Sequence, residues 1–251
     1  MKPLHFLFCS LVLFSFALPV KNKITIWMCG DSTMSIKETK AYPETGWGMP
    51  FAYFWDTSLV KIENKAKNGR STKTFISEGI WQSVIDNVNE GDYVFIEFGH
   101  NDESKEKKER YTTLDEYKAN LVKFISESRS KKAIPILFTP VSRRKFDSTG
   151  HTMETHKDYS AAVREVALSQ NVPFIDLDKK TMEMYDNFGV ETSKLLFLQV
   201  KPGEHPNYPD GKEDNTHYSE LGARLVAQMA LSELKNLFPD LTERVIKLIK
   251  K

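Results

Sequence analysis

Cysteine is scarce in this sequence of 251 residues, which contains only two. Cys9 lies in an apolar N-terminal stretch that we expect to be removed, which leaves Cys29 alone and excludes an intramolecular disulfide. Cys29 ends a short apolar run, a position typical of a small buried hydrophobic residue and not of a reactive thiolate. The mature fold must therefore be stabilised by its hydrophobic core.

An excess of charge of one sign is also missing. The 35 basic and 34 acidic side chains give a formal net charge of +1, so nothing indicates a nucleic-acid partner or an acidic polymer bound by bulk electrostatics. The sequence has no internal repeat, low-complexity tract or Pro/Gly-rich linker. With 40% hydrophobic residues, a chain of this length can form one sizeable core, and we expect a single domain.

The first twenty residues form a distinct segment. Lys2 provides a basic start, Phe6 to Val20 is nearly continuous apolar sequence, and polar sequence begins at Lys21. The apolar run is too short for a comfortable membrane span and is typical of a secretory signal peptide. We expect residues 1–20 to be a signal peptide and residues 21–251 to be a secreted or periplasmic domain without stable membrane insertion. An uncleaved membrane anchor is the alternative.

Short apolar runs alternate with longer amphipathic segments. The runs are rich in β-branched and aromatic residues, which predicts strands buried on both faces at 24–29, 59–63, 93–98, 133–138 and 172–175. The amphipathic segments predict helices at 73–88, 114–129, 156–170, 178–187, 219–237 and 241–249. This alternation predicts an α/β domain with a parallel sheet.

Polar, glycine-containing loops follow three of these strands, and a similar polar loop occurs late in the chain. They cover residues 30–33, 68–71, 99–102 and 214–217. In parallel α/β sheets the chemistry collects at the carboxyl ends of the strands. We therefore expect the four loops to form one functional site.

Three side chains in these loops are candidates for nucleophilic catalysis. Ser32 follows a glycine at a strand end, a tight turn that can expose a nucleophile, although Met34 shows that this is not a G-x-S-x-G elbow. A serine hydroxyl needs an imidazole to take its proton, and the imidazole needs a carboxylate to fix its tautomer. Asp214 and His217 lie three residues apart, in a predicted turn that enters a helix. We predict a triad of Ser32, His217 and Asp214; helix capping is the structural alternative for the serine.

Acyl transfer also needs hydrogen-bond donors directed at the developing oxyanion. The candidates are the backbone N–H groups of Ser32 and Gly69 and the side-chain amide of Asn101. Glycine permits close backbone approach, and an asparagine amide supplies a fixed donor. The alternative for Asn101 is a hydrogen bond within its own turn. Asp31 and Asp102 are expected to organise their loops by accepting backbone N–H groups.

The four loops together resemble, in order, the sequence blocks of the SGNH (GDSL-type) hydrolases. The matching residues are Gly-Asp-Ser at 30–32, Asn-Gly at 68–69, Gly-His-Asn-Asp at 99–102 and Asp-x-x-His at 214–217. With Glu-Thr-Gly-Trp-Gly at 44–48 and Phe98 before the third block, the chain is similar more narrowly to the rhamnogalacturonan acetylesterase branch. Met34 and Ser35 depart from the first block, where the broad family often has leucine.

This resemblance implies a three-layer α/β/α (flavodoxin-like) fold with a five-stranded parallel sheet, and a serine mechanism without metal or other cofactor. It implies an esterase that removes acetyl groups from pectic rhamnogalacturonan, with the triad and oxyanion roles given above, and the predicted signal peptide makes this a secreted esterase. His100 and Trp47 are candidates for substrate binding, and a structural role is an equal alternative for each. Arg143 and Arg144 could meet an anionic galacturonate backbone or form a solvated loop, which is also expected for residues 105–110.

Other functions are open from the sequence. An esterase of this family could act on acetylated xylan, another sugar ester or a lipid. The block at 99–102 resembles a permuted G-N-H-[DE] motif of metallophosphoesterases, but the companion D-x-H and G-D-x-x-D motifs are missing. A non-catalytic carbohydrate-binding protein on the same scaffold is disfavoured because the serine, glycine, asparagine, aspartate and histidine set is intact. The sequence leaves the oligomeric state undetermined.

Overall fold

The computed structural model describes residues 22–246, and the predicted signal peptide lies outside them. The strands are β1 (Ile24–Gly30), β2 (Val60–Asn64), β3 (Tyr93–Glu97), β4 (Ile134–Phe138), β5 (Phe174–Ile175), β6 (Phe197–Val200) and β7 (Lys212–Tyr218). The α-helices are α1 (Gly48–Ala52), α2 (Thr72–Ser77), α3 (Ile80–Ile85), α4 (Leu114–Ser130), α5 (Lys157–Ser169), α6 (Leu177–Thr192), α7 (Glu220–Leu237) and α8 (Pro239–Thr242). Short 3-10 helices cover Thr39–Ala41 and Ser193–Leu196.

The first five strands form a parallel sheet in the order β2-β1-β3-β4-β5. Alternate residues of β1 enter different cores: Ile26 and Met28 pack with α1, α6 and α7, whereas Trp27 and Cys29 pack with α2 to α5. This alternation follows from the two-residue period of a strand. The architecture confirms the predicted three-layer α/β/α fold. Cys29 is buried, and burial raises the pKa of its thiol.

The helix predicted over residues 73–88 is two short helices, α2 and α3. Gly79 separates them with a φ of 72°, in the left-handed region that glycine adopts at little cost. The N-terminus of α2 has a capping box, in which the Ser71 side chain accepts from the Thr74 N–H and the Thr74 side chain accepts from the Ser71 N–H. The cap fixes the start of α2 directly after the predicted oxyanion loop.

The segment 214–217 is part of a strand and not of the predicted turn. β7 pairs antiparallel with β6, and the register is irregular between Phe197 and Gln199. The strand was not predicted because Lys212–Tyr218 is mostly polar and charged, without an apolar alternation. The hairpin leads directly into α7, whose N-cap is Ser219.

The last predicted helix, at 241–249, is not formed by residues 243–246, and residues 247–249 lie outside the described residues. α8 ends at Thr242, and Val245 then forms an isolated β-bridge with Trp55. Across residues 22–246, no helix combines the length and apolar composition that crossing a membrane requires.

Candidate active site

The predicted nucleophile lies in a tight turn directly after β1. Asp31 Oδ1 accepts hydrogen bonds from the backbone N–H and the hydroxyl of Thr33, both at 2.9 Å. The backbone N–H of Ser35 donates to the Asp31 carbonyl at 3.1 Å. Asp31 therefore organises the turn as predicted, and Ser32 keeps 8% of its surface exposed.

A buried lysine that sequence reasoning missed braces this turn. Lys37 Nζ donates to the Ser32 carbonyl at 2.5 Å and to Asn68 Oδ1 at 2.8 Å, and it pairs with Glu44 Oε1 at 2.7 Å. Burial lowers the pKa of Lys37, and the Glu44 carboxylate opposes this shift. Lys37 thereby connects the Ser32 turn to the loop that carries Gly69. A loop lysine is usually solvated, so the sequence carries no distinct signal for this role.

The structure brings the three predicted triad residues together. His217 Nε2 lies 2.9 Å from Ser32 Oγ, and His217 Nδ1 lies 2.8 Å from Asp214 Oδ2. Residues three apart on a regular strand face opposite sides. Here Asp214 Oδ1 accepts the N–H groups of Thr216 (2.7 Å) and His217 (2.9 Å), which folds the segment locally. Both triad side chains consequently reach the same side.

The charge of Asp214 fixes the imidazole tautomer. Burial raises the pKa of Asp214, but hydrogen bonds from His217 and Thr216 and the electrostatic interaction with the His217 ring outweigh it, so the net pKa lies well below its usual range. An ionised carboxylate only accepts hydrogen bonds, so the proton of a neutral His217 ring resides on Nδ1. Nε2 is then free to accept the Ser32 proton.

The three predicted oxyanion donors line the cavity beside Ser32. Within residues 22–246, neither the Ser32 N–H nor the Gly69 N–H donates to a protein acceptor. Asn101 Nδ2 donates one hydrogen to the Arg70 carbonyl at 2.8 Å, which leaves its second amide hydrogen available. Gly69 has a φ of 77°, which a side chain would strain. This geometry is compatible with the predicted oxyanion hole, whose role stays a prediction.

The cavity at Ser32 has a volume of about 440 Å³ and a polar, charged lining. Its lining residues are Ser32, Glu44, Asn68, Gly69, His100, Asn101, Ser104, Glu106, Lys107, Arg110, Arg143, Thr216 and His217.

Some basic residues that were expected to be solvated line this cavity. Lys107 and Arg110 come from residues 105–110, the segment predicted to be a solvated loop. Arg143 donates to Thr216 Oγ1 at 2.7 Å and pairs with Glu103 at 3.3 Å. Arg144 does not line this cavity and bonds Asn215 instead.

The prediction that Trp47 contacts substrate is corrected by its burial. Trp47 is 0% exposed, and its Nε1 donates to Glu97 Oε2 at 2.8 Å. Its backbone N–H donates to the Thr33 carbonyl at 2.8 Å. The preceding Gly46 packs so closely that an added Cβ would lie 2.0 Å from the Ser35 carbonyl oxygen. The motif at 44–48 therefore supports the nucleophile turn.

His100 lines the cavity but is almost wholly enclosed. It is 4% exposed, and its ring contacts His156 edge to face with centroids 4.1 Å apart. Burial and the electrostatic effects of the neighbouring His156 and Arg143 lower the pKa of His100 well below its usual range, so the ring is neutral. Neither ring nitrogen bonds a described side chain. Substrate binding by His100 stays a prediction.

Buried carboxyl groups behind the turn predict a pH-dependent stability. Burial and the Asp31 charge raise the pKa of Glu97 to about 8, and burial raises that of Asp102 to about 7. Such groups bind protons more tightly in the folded state, so their stabilisation is complete below about pH 4 and is lost as pH rises through about 7 to 8. We expect the free energy of unfolding in urea to fall between about pH 5 and 8.5.

The variant Glu97→Gln should show a shallower fall in stability over the same pH range. The control is Glu109→Gln, at an exposed glutamate, and its slope should match that of the unmodified protein. If Glu97→Gln retains the full slope, Glu97 is not a source of the pH dependence.

Comparison with known proteins agrees with this geometry. Residues 28–225 match the model of the GDSL-like Lipase/Acylhydrolase family. The chain is 38% identical to rhamnogalacturonan acetylesterase RhgT of Bacillus subtilis (strain 168) over 227 residues, which cover 90% of this chain and 96% of that protein. It is 34% identical to the probable rhamnogalacturonan acetylesterase YesY of the same organism, over 88% of this chain and 97% of the relative.

Solved structures show the same fold. The crystal structure of the YxiM protein of Bacillus subtilis matches with a TM-score of 0.74 and 26% identity, covering 87% of this chain and 58% of that chain. The acetylxylan esterase Axe2 of Geobacillus stearothermophilus matches with a TM-score of 0.57 and 18% identity, covering 86% and 96%. The family match also removes the metallophosphoesterase alternative. The chain belongs to the GDSL-like lipase/acylhydrolase family and is a carboxylic-ester hydrolase.

Proposed function

We propose that this protein is a secreted serine esterase that removes O-acetyl groups from pectic rhamnogalacturonan through an acyl-enzyme on Ser32. The mechanism rests on one observation, the continuous contact from Asp214 through His217 to Ser32 at 2.8 and 2.9 Å. Similarity to a rhamnogalacturonan acetylesterase and to a probable one, over about nine-tenths of the chain, supports the substrate. The apolar segment from Phe6 to Val20 supports secretion.

In the acylation half of the reaction, Ser32 Oγ attacks the ester carbonyl carbon and His217 Nε2 takes the hydroxyl proton. The Asp214 carboxylate stabilises the resulting imidazolium through Nδ1. The carbonyl oxygen becomes an oxyanion, which the Ser32 and Gly69 N–H groups and the Asn101 amide would bind; each such donor typically lowers the barrier by ~3 kcal/mol. The bond from the acyl carbon to the sugar oxygen then breaks, and His217 returns its proton to that oxygen.

The deacylation half repeats these steps with water. His217 Nε2 accepts a proton from a water molecule as the water oxygen attacks the acyl carbon bound to Ser32. Collapse of the second tetrahedral intermediate releases acetic acid, and the proton on His217 returns to Ser32 Oγ. Over the full cycle, one ester and one water molecule are consumed, and one carboxylic acid and one alcohol are released.

The lining of the cavity supports a short acyl group on a sugar. Within the described part of the chain, residues 22–246, its lining includes no alanine, valine, leucine, isoleucine, methionine, phenylalanine, tyrosine or tryptophan. A long acyl chain would gain little there, because its stabilisation requires burial against apolar surface, worth about 0.8 kcal/mol per buried methylene. A polar sugar that carries an acetyl group does not need an apolar lining to bind. The lining therefore favours a sugar acetate over a lipid ester.

Acetate release from matched substrates tests this function. We expect kcat/KM on acetylated rhamnogalacturonan to exceed that on acetylated xylan of equal acetyl content by at least about tenfold, a difference of about 1.4 kcal/mol. Aryl acetate should be cleaved faster than aryl octanoate. Equal or faster release from xylan would refute the pectic substrate while leaving the triad intact. Preference for the octanoate would contradict the acetyl specificity.

A further inference from the structure

Arg110 occupies an unusual position in the catalytic cavity. Its Nη1 lies 3.5 Å from the Gly69 carbonyl oxygen, and a Cβ on Gly69 would lie 3.4 Å from the same nitrogen. The guanidinium thus contacts Gly69, the residue whose backbone N–H is a predicted oxyanion donor. Its Nε is buried and bonds no described side chain or backbone group. Because a guanidinium has five N–H donors, most of its hydrogen-bonding capacity is unused within residues 22–246.

Two other basic side chains near the nucleophile are paired with carboxylates. Arg143 pairs with Glu103 at 3.3 Å, and Glu44 pairs with Lys37 at 2.7 Å. Among residues 22–246, Arg110 has no carboxylate within 4 Å. Glu106 and Lys107 also line the cavity, but both are exposed to solvent, which screens their charges. Within residues 22–246, Lys107 and Arg110 are thus the cavity cations without a carboxylate partner, and Arg110 is the one that is partly buried and lies against Gly69.

We propose that Arg110 binds the carboxylate of a uronic acid that lies within one sugar of the scissile ester. This inference rests on the proposed function and specifies the chemistry of its substrate. The planar guanidinium presents paired donors that match the two oxygens of a carboxylate, and such bonds are roughly twice as strong as neutral ones. The proximity to Gly69 places the carboxylate beside the acyl group. A neutral xylan backbone offers hydroxyl and ether oxygens but no carboxylate to form the charge-assisted, two-point contact.

A purely structural role is the competing explanation. Arg110 could brace the Gly69 loop through its contact with the carbonyl oxygen, and its loss would then weaken the site for every ligand. The two roles differ in one measurable respect, because only a carboxylate-binding residue discriminates an acidic sugar from the same sugar without its charge. Calorimetric binding of unacetylated oligosaccharides measures this discrimination without requiring turnover.

The test compares rhamnogalacturonan oligosaccharides with the same oligosaccharides after carboxyl reduction. We expect the unmodified protein to bind the acidic form at least about tenfold more tightly, and Arg110→Gln to weaken that binding by about 10- to 100-fold. Binding of the reduced form should change less than about threefold. Arg110→Lys keeps the positive charge but loses the paired donors of the guanidinium, so its affinity for the acidic form should lie between those of the unmodified protein and Arg110→Gln.

A matched control separates local binding from general charge. Lys108→Gln removes one positive charge from the same loop, at an exposed residue that does not line the cavity, and should leave both affinities within about threefold. Equal loss of both ligands in Arg110→Gln would overturn the proposal, as would equal binding of the two ligands by the unmodified protein. A preference for xylan in acetate release would refute the proposed substrate instead, so the two failures are distinguishable.

Discussion

Replacing Ser32 with alanine should lower kcat/KM on an aryl acetate by about 10⁴-fold or more while leaving the fold intact. The variant lacks the atom that attacks the carbonyl, so only binding and oxyanion stabilisation remain, which in serine hydrolases retain about 10³- to 10⁴-fold over water. The expected loss follows from the removal of Oγ, whose contact is with His217 Nε2 at 2.9 Å. The steady-state rate on aryl acetate is the measurement.

The fold should survive this change because the turn is held by other atoms. The Ser32 carbonyl still accepts from Lys37, and Asp31 still accepts from Thr33. We expect the free energy of unfolding to change by less than about 1 kcal/mol, the typical contribution of one hydrogen bond. Ser126→Ala, at an exposed serine on α4, is the matched control and should keep full activity. A folded Ser32→Ala protein with more than a few per cent of the activity would rule out the nucleophile.

Replacing Asp214 with asparagine should lower kcat by about 10³- to 10⁴-fold, the second-largest effect we expect. The asparagine side chain would retain an oxygen that accepts the N–H groups of Thr216 and His217, so the local fold of β7 should persist. Its amide nitrogen would then face His217 Nδ1 as a donor. A neutral imidazole meets a donor with its unprotonated nitrogen, which moves the proton to Nε2 and prevents that atom from accepting the Ser32 proton.

The control for this substitution is Asp210→Asn, which removes an exposed carboxylate just before β7 and should retain nearly full kcat. Single-turnover kinetics on aryl acetate separate the acylation rate from deacylation, and both should fall in Asp214→Asn because His217 serves in both halves. A kcat within about tenfold of the unmodified enzyme would show that Asp214 is not needed to fix the tautomer.

The sheet could be predicted from sequence because its physical requirement is visible in local composition. The central strands β1, β3 and β4 are buried on both faces, which demands continuous apolar residues. The β6–β7 hairpin has no such requirement, since Lys212–Tyr218 is largely accessible and is held by pairing and by local bonds to Asp214. Nothing in its composition separates it from a loop.

The same distinction applies to the site. Nucleophilic catalysis restricts residue type, and the four loops resemble the ordered blocks of the SGNH hydrolases, so Ser32, His217 and Asp214 could be predicted before their contacts were known. The roles of Lys37 and Arg110 could not, because the same side chain in a loop can face water or a cavity, and only tertiary packing decides which. For Trp47 the prediction of substrate contact was wrong, because a tryptophan suits sugar binding but packing buries this one completely.

Acetylation of Ser32 during turnover is the step on which the proposed mechanism depends, and mass spectrometry of rapidly quenched enzyme detects it directly. Mixing the enzyme with excess aryl acetate, quenching in acid and digesting should yield an acetyl group on the peptide that contains Ser32. The group should be absent in Ser32→Ala and should disappear from the unmodified enzyme once substrate is exhausted. A burst of product with the acetyl group on any other residue would contradict the mechanism.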